Sequence, residues 1–548
     1  MMKFSALILW LVVNSVWADT VRDSAVEFHS LFMQSLSESA QNDPASQYLH
    51  FVPDEGVMQA AQASTIEEAM SLIKRTNVDT LARANAAFLP TISQTLPIDA
   101  ALEKTPLTMV IVPGIFGEFI AARPFESLFR NAGVYKAEYE AKVDAASEEL
   151  KSDLSYDSGA IAEIPKSMKE LVMATSLDKD GKALVKVVFL HPAYASLETL
   201  GDVNERARML NRRLQKYLEI TGPQNLVFVG YSRGTTFALE MLSQAKKEKL
   251  AWVGNVKGLI GLSGVVWGST SADQTKNPNE PMYDTVNDTK ELMNRLAPIP
   301  ADADVWAKAK IAAADKLAMD RFSLKFLRRS WNRPHHFDIT KMPEVLKDPL
   351  LVAALNIDFV GLNVFLFKAI FEIIRENPEG STIQRLKNLV NAALLGADQL
   401  RTQERLKWWQ SADLPDNVTY YSLTAIMPNA AESKVSAEMA KSDLAFTKGS
   451  FEDQFLIKGR NDYATASGIR ANDSQVAIAQ AMFLPNVIHA TNPSLPPLKT
   501  QFLGTIGTHH WGAALEIVFG MKSGEKNPFP REALLKALAA KVALDQAN

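Results

Sequence analysis

Apolar, largely branched residues cluster in short runs at Thr108 to Val112, Ala183 to Pro192, Asn225 to Gly230, Val256 to Gly268, Val418 to Met427 and Leu498 to Gly507. These runs are nearly continuous rather than alternating, as expected of strands covered on both faces. Helical periodicity fills intervals between them. In "GDVNERARMLNRRLQKYLEI", Ala207, Leu210, Leu214 and Leu218 share one face, a helical pattern follows "NLVFVGYSRG" directly, and the chain ends in the amphipathic "REALLKALAAKVALDQ". Strands that alternate with helices predict an α/β fold with a mainly parallel sheet flanked by helices.

Several stretches do not follow this rhythm. Residues 19–106 are polar and mostly helical in pattern, with a capping-box start expected at Ser64 and Glu67. A charged segment from Glu138 to Leu177 reads as a helical insertion ahead of the second strand. Residues 270–411 show no strand alternation, are rich in Ala, Leu, Lys and Trp, and read as a large helical cap or lid inserted over the sheet edge. The expected organisation is therefore a leader at 1–18, a helical segment at 19–106, core at 107–269, the insertion at 270–411 and core again at 412–548. No internal repeat or low-complexity tract is found.

The leader "MMKFSALILWLVVNSVWADT" has a lysine, an apolar run from Phe4 to Val13, and small residues at Val16 and Ala18. It reads as a signal peptide cut after Ala18, since the run is short for a membrane span of about 20 residues. The expected location is periplasmic or extracellular. Export permits disulfides, yet the chain has no cysteine, so a large core must supply its stability. A second apolar stretch, Leu350 to Ile374, carries Asn356, Asp358, Asn363, Lys368 and Glu372 and is read as a buried or amphipathic helix rather than a span. Of the 548 residues 47% are hydrophobic, and the formal net charge is −4. With no basic stripe interleaved with aromatics, nucleic acid is not an expected partner.

Candidate chemistry begins at "NLVFVGYSRGTTFALEML". Gly230 and Gly234 bracket Ser232 where a strand must turn sharply into a helix, a turn that strains the serine backbone and makes its hydroxyl protrude. The same turn aims the backbone N–H of Arg233 at the space above Ser232. In "VPGIFGE" the N–H of Ile115, after Gly114, is the natural second donor to an oxyanion. A serine nucleophile needs a base. Of the eight histidines, His489, His509 and His510 lie beyond the core strands, the last two in "FLGTIGTHHWGAAL" directly after the final strand. The acid has two candidates, Asp462 in "KGRNDYATASG" and Asp473 in "RANDSQVAIAQAMFLPN". His335 and His336 are adjacent, so their side chains diverge and make a poor metal pair.

Together these residues resemble the α/β-hydrolase superfamily in its lipase and esterase neighbourhood, over roughly residues 107–268 and 415–520. The resemblance implies an α/β-hydrolase fold and a triad in the chain order Ser, Asp, His. It favours His510, which precedes Trp511 in the His-Trp arrangement of many hydrolases, over His509. It favours Asp473 over Asp462, because "NDSQVAIAQAMFLP" resembles lipase acid loops, with Ser474 in the place of a glycine. Pro113 stands where lipases commonly have histidine. The implied activity is hydrolysis of carboxylic esters through an acyl-enzyme on Ser232, with no cofactor and no metal. The implied partner is a small-molecule or lipid ester, with transient contact to a lipid surface through an insertion whose apolar runs and Trp408 and Trp409 form an apolar wall. Two alternatives stay open: acyl transfer with the same triad, and a catalytically inactive binding protein on the same fold. The oligomeric state is unknown.

Overall fold

A computed structural model describes residues 21–37, 44–89, 95–112, 114, 170–172, 179–180, 183–189, 201–278, 391, 394–429, 431–441, 451–514 and 527–547, with isolated positions between 283 and 310. Its strands are β1 (His50–Phe51), β2 (Leu107–Val112), β3 (Glu170–Val172), β4 (Val185–Phe189), β5 (Leu226–Tyr231), β6 (Val256–Leu262), β7 (Thr419–Ile426) and β8 (Lys499–Gly507). They form one sheet in the order β1-β8-β7-β6-β5-β2-β4-β3. The strands β8, β7, β6, β5, β2 and β4 are mutually parallel, and they correspond to the apolar runs of the sequence. The antiparallel edge strands β1 and β3 were not expected. At two and three residues they are too short to show a period. Glu170–Val172 also corrects the reading of 138–177 as wholly helical.

The strands expose alternate residues to two separate cores, as the period of two requires. Val110, Val112, Phe228 and Leu259 face one core, shared with Leu210 and Leu214 of α1 (Val203–Thr221) and with Phe237 and Met241 of α2 (Arg233–Lys247). Met109, Ile111, Val227, Val229 and Ile260 face the other, shared with Phe28 and Phe32 from the helix at 21–37 and with the closing helix Arg531–Ala547. Helix α1 starts where Asp202 accepts from the N–H groups of Asn204 and Glu205 and stops at Gly222, whose φ is 82°. The capping box expected at Ser64 is shifted by one residue. Thr65 is the N-cap of Ile66–Leu72 and accepts from Glu68 N at 3.1 Å, while the Glu68 carboxylate accepts from Ser64 N at 2.8 Å.

The segment between β6 and β7 leaves and returns at one place. Ser269 N donates to Leu400 O at 2.9 Å, and Thr402 N and Oγ1 donate to the Asp273 carboxylate at 2.9 and 2.7 Å. Trp408 and Trp409 on α3 (Thr402–Ser411) do not form the expected apolar wall. Trp409 is fully buried, stacks on Trp267 at 5.1 Å and donates to Val266 O, while Trp408 lies against Arg405 and donates to Glu240. They anchor α3 to the core. No helix among the described residues is long and apolar enough to cross a membrane. Residues 1–18 and 350–374 lie outside the described residues.

At the sheet edge, His50 Nε2 faces Leu503 O at 2.6 Å, which places the proton on that nitrogen and leaves Nδ1 to accept from His29 Nδ1–H at 3.1 Å. Burial lowers His29 from 6.5 to about 4. Burial, with the neighbouring His29, lowers His50 to about 3. Above pH 6.5 both rings are neutral in the folded and unfolded chain. Below it the unfolded chain takes up protons that the folded chain refuses, so stability falls as the pH drops from 6.5 towards 4. His29 alone then removes about 3 kcal/mol, at about 1.4 kcal/mol per tenfold change in proton affinity. Urea unfolding between neutral pH and about pH 5 is expected to show a falling midpoint. A level midpoint over that range contradicts the burial of this pair.

Candidate active site

Ser232 follows the last residue of β5 and precedes the first residue of α2 with φ 55° and ψ −126°, a conformation that costs a non-glycine residue about 1–3 kcal/mol. The surrounding backbone holds it there. Ser232 N donates to Leu262 O at 3.1 Å, and Ser232 O accepts from Thr235 N at 3.1 Å and Val265 N at 3.0 Å. A Cβ on Gly230 would lie 2.5 Å from Thr235 Cα, so strand and helix can approach only with glycine at this position. A Cβ on Gly114 would lie 2.8 Å from Ser232 Cβ. The chain after β2 therefore passes directly beside the serine, as the sequence requires of an oxyanion loop. Pro113 and Ile115 themselves lie outside the described residues. The N–H of Arg233 is the first of α2, where no intrahelical acceptor exists. The Arg233 side chain is fully buried, donates to Gly201 O at 2.6 Å and stacks 4.7 Å over Phe237.

The structure brings together three residues from far apart in the chain. Ser232 Oγ lies 2.8 Å from His510 Nε2, and His510 Nδ1 lies 2.7 Å from Asp473 Oδ2. An ionised carboxylate only accepts, so Nδ1 carries the proton and Nε2 is left to accept from the serine hydroxyl. The other Asp473 oxygen, Oδ1, accepts from Gln475 N at 3.0 Å and Val476 N at 2.8 Å, and Asp473 O accepts from His510 N at 2.8 Å. Asp473 and His510 are each 1% exposed and Ser232 is 7% exposed, which leaves only the serine end of the chain of bonds near solvent.

The other candidates are placed elsewhere. His509 is fully buried and its Nδ1 accepts from Gly512 N at 3.0 Å within the turn after β8. His489 is exposed on the helix Pro485–Thr491. Asp462 sits within α4 (Phe451–Ser467) rather than on a loop, and Asp473 occupies the place beside His510. His335 and His336 lie outside the described residues, and among the described residues no cluster of three or more His, Asp or Glu could hold a metal ion. Sequence reasoning gave no part to Tyr231, whose hydroxyl donates to His510 O at 2.8 Å. The contact spans the chain and leaves no local signal.

Ser474, in the position where the resembling acid loops have glycine, has φ 91°, and its buried hydroxyl finds no hydrogen-bond partner among the described residues. Ser474→Gly is expected to raise unfolding stability by about 1 kcal/mol, the relief of strain and of the orphan hydroxyl outweighing the added chain entropy. A denaturant midpoint that falls in this variant contradicts the strain.

A serine on the turn between a central parallel strand and its helix, with a loop after the neighbouring strand beside it and a histidine after the last strand, defines an α/β-hydrolase fold. No protein-family model matches the chain, and no curated protein sequence matches it. Among solved structures it is similar to a metagenomic carboxyl esterase, at 13% identity over 94% of this chain and 98% of that one with a TM-score of 0.37. It is also similar to a mature lipase of Bacillus licheniformis, at 12% identity, 77% and 88% coverage and a TM-score of 0.29. A third is juvenile hormone epoxide hydrolase of the silkworm Bombyx mori, at 12% identity, 94% and 92% coverage and a TM-score of 0.26.

Proposed function

We propose that the chain is a serine hydrolase of carboxylic esters that acts after export. The observation that carries this reading is the unbroken relay from Ser232 Oγ through His510 to Asp473, with the histidine in the tautomer that accepts the serine proton. In the first half-reaction Ser232 Oγ attacks the ester carbonyl carbon while His510 Nε2 takes the hydroxyl proton. Asp473 stabilises the imidazolium and keeps its own charge. The oxygen of the tetrahedral intermediate accepts from the N–H of Arg233, with the N–H of Ile115 expected from the sequence as the second donor. Collapse expels the alcohol, which leaves with the proton from Nε2, and the acyl group stays on Ser232. Water then gives a proton to Nε2 and attacks the acyl carbon, and the acid is released with the serine restored.

None of these steps calls for a metal or a cofactor, so activity is expected to survive chelation. Treatment with a fluorophosphonate followed by peptide mapping tests the reading, with p-nitrophenyl esters of increasing chain length reporting turnover and acyl preference. The adduct belongs on Ser232. Folded protein that neither labels nor hydrolyses any ester of the series sinks the proposal and favours an inactive binding protein. Acyl transfer is separated by product analysis with an acceptor alcohol.

A further inference from the structure

We infer that Tyr231 is the positioning residue for the base: its hydroxyl and ring fix His510 relative to the adjacent Ser232. The inference rests on the serine-hydrolase reading above. Tyr231 is the last residue of β5, is 4% exposed, and has its hydroxyl 2.8 Å from His510 O. Its ring lies 5.3 Å from the His510 imidazole, centroid to centroid, with 34° between the planes. A carbonyl only accepts, so the phenol is the donor. Burial, with the Asp473 charge as a second cause, holds the phenol well above its ordinary value and keeps that donor protonated.

His510 stands in a turn after β8, and its main chain is held by two long-range bonds. One runs from its N–H to Asp473 O, and the other runs from the Tyr231 hydroxyl to its carbonyl. The first ties the histidine to the acid. The second ties it to the end of β5, one residue before Ser232. Because anchor and nucleophile are consecutive residues where β5 turns into α2, the distance from Oγ to Nε2 is set across a short rigid path instead of around the sheet. Proton transfer is sensitive to that distance, and displacement by about 1 Å costs a reaction about a hundredfold.

Tyr231→Phe is therefore expected to lower kcat for a p-nitrophenyl ester about 10- to 100-fold with KM changed little, and to slow fluorophosphonate labelling in proportion. Tyr420→Phe is the control. Tyr420 is fully buried in β7, and its hydroxyl donates to Pro415 O at 3.0 Å near the opposite end of the parallel strands. It loses the same kind of bond, so a comparable drop in Tm with kcat unchanged is expected. Incorporating p-aminophenylalanine at position 231 restores a donor on the same ring and is expected to recover most of kcat, which keeps the assignment testable should Tyr231→Phe fold poorly. A Tyr231→Phe enzyme with wild-type kcat, or losses that Tyr420→Phe matches, overturns the assignment while leaving the hydrolase reading intact. Folded wild-type protein that neither labels nor turns over overturns both.

Discussion

Replacing Ser232 with alanine is expected to lower kcat for carboxylic esters by about 10⁴- to 10⁶-fold and to abolish fluorophosphonate labelling. The size follows from what the hydroxyl does in the relay. In the proposed mechanism the acyl-enzyme forms on Oγ, so without it His510 Nε2, 2.8 Å from that oxygen in the native site, has no nucleophile to activate except water. In serine hydrolases that lose a member of the triad, the oxyanion hole and substrate binding retain about 10³–10⁴-fold catalysis over water. Residual turnover is thus expected to be measurable. The fold should tolerate the change, because alanine removes one atom and the φ of 55° is enforced by the backbone bonds around it. Activity within tenfold of wild type would falsify the role given to Ser232.

The second large effect is expected from Asp473→Asn, about 10⁴-fold in kcat with little loss of stability. Oδ1 of Asp473 accepts from two backbone N–H groups, so an asparagine there keeps its carbonyl oxygen on Gln475 N and Val476 N. Its amide nitrogen must then face His510 Nδ1 in place of Oδ2. An amide NH₂ only donates, which forces Nδ1 to accept and drives the imidazole proton to Nε2. That tautomer cannot take the Ser232 proton. Steady-state kinetics alongside a denaturant melt separates this effect from misfolding. A variant that keeps both its melt and its kcat removes Asp473 from the mechanism.

The parallel strands were legible because each is a buried run whose signal lies within its own residues. Ser232 was legible for the same reason. Gly230 and Gly234 mark a close approach of strand and helix, and that approach is local. The residues alone left three histidines, His489, His509 and His510, and two aspartates, Asp462 and Asp473, and only the resemblance chose among them. The turn after β8 decides between the adjacent histidines, since His509 turns its Nδ1 towards Gly512 N and leaves His510 towards Ser232. For the aspartates, the Asp462 segment proved to be helix, while the Asp473 carboxylate is caught by the N–H groups of its own loop. Trp408 and Trp409 were misread because an apolar pair shows that it will be covered and not what will cover it.

By itself the sequence determined the six parallel strands, the apolar face of α1 and where one serine must take a strained turn. All of these depend on near neighbours and on backbone geometry. Only the tertiary structure decided the edge strands β1 and β3, the distances that join Ser232, His510 and Asp473, and the tie from Tyr231 to His510. Those depend on groups that meet across the sheet from distant parts of the chain. Which groups meet is set by the packing of both cores at once.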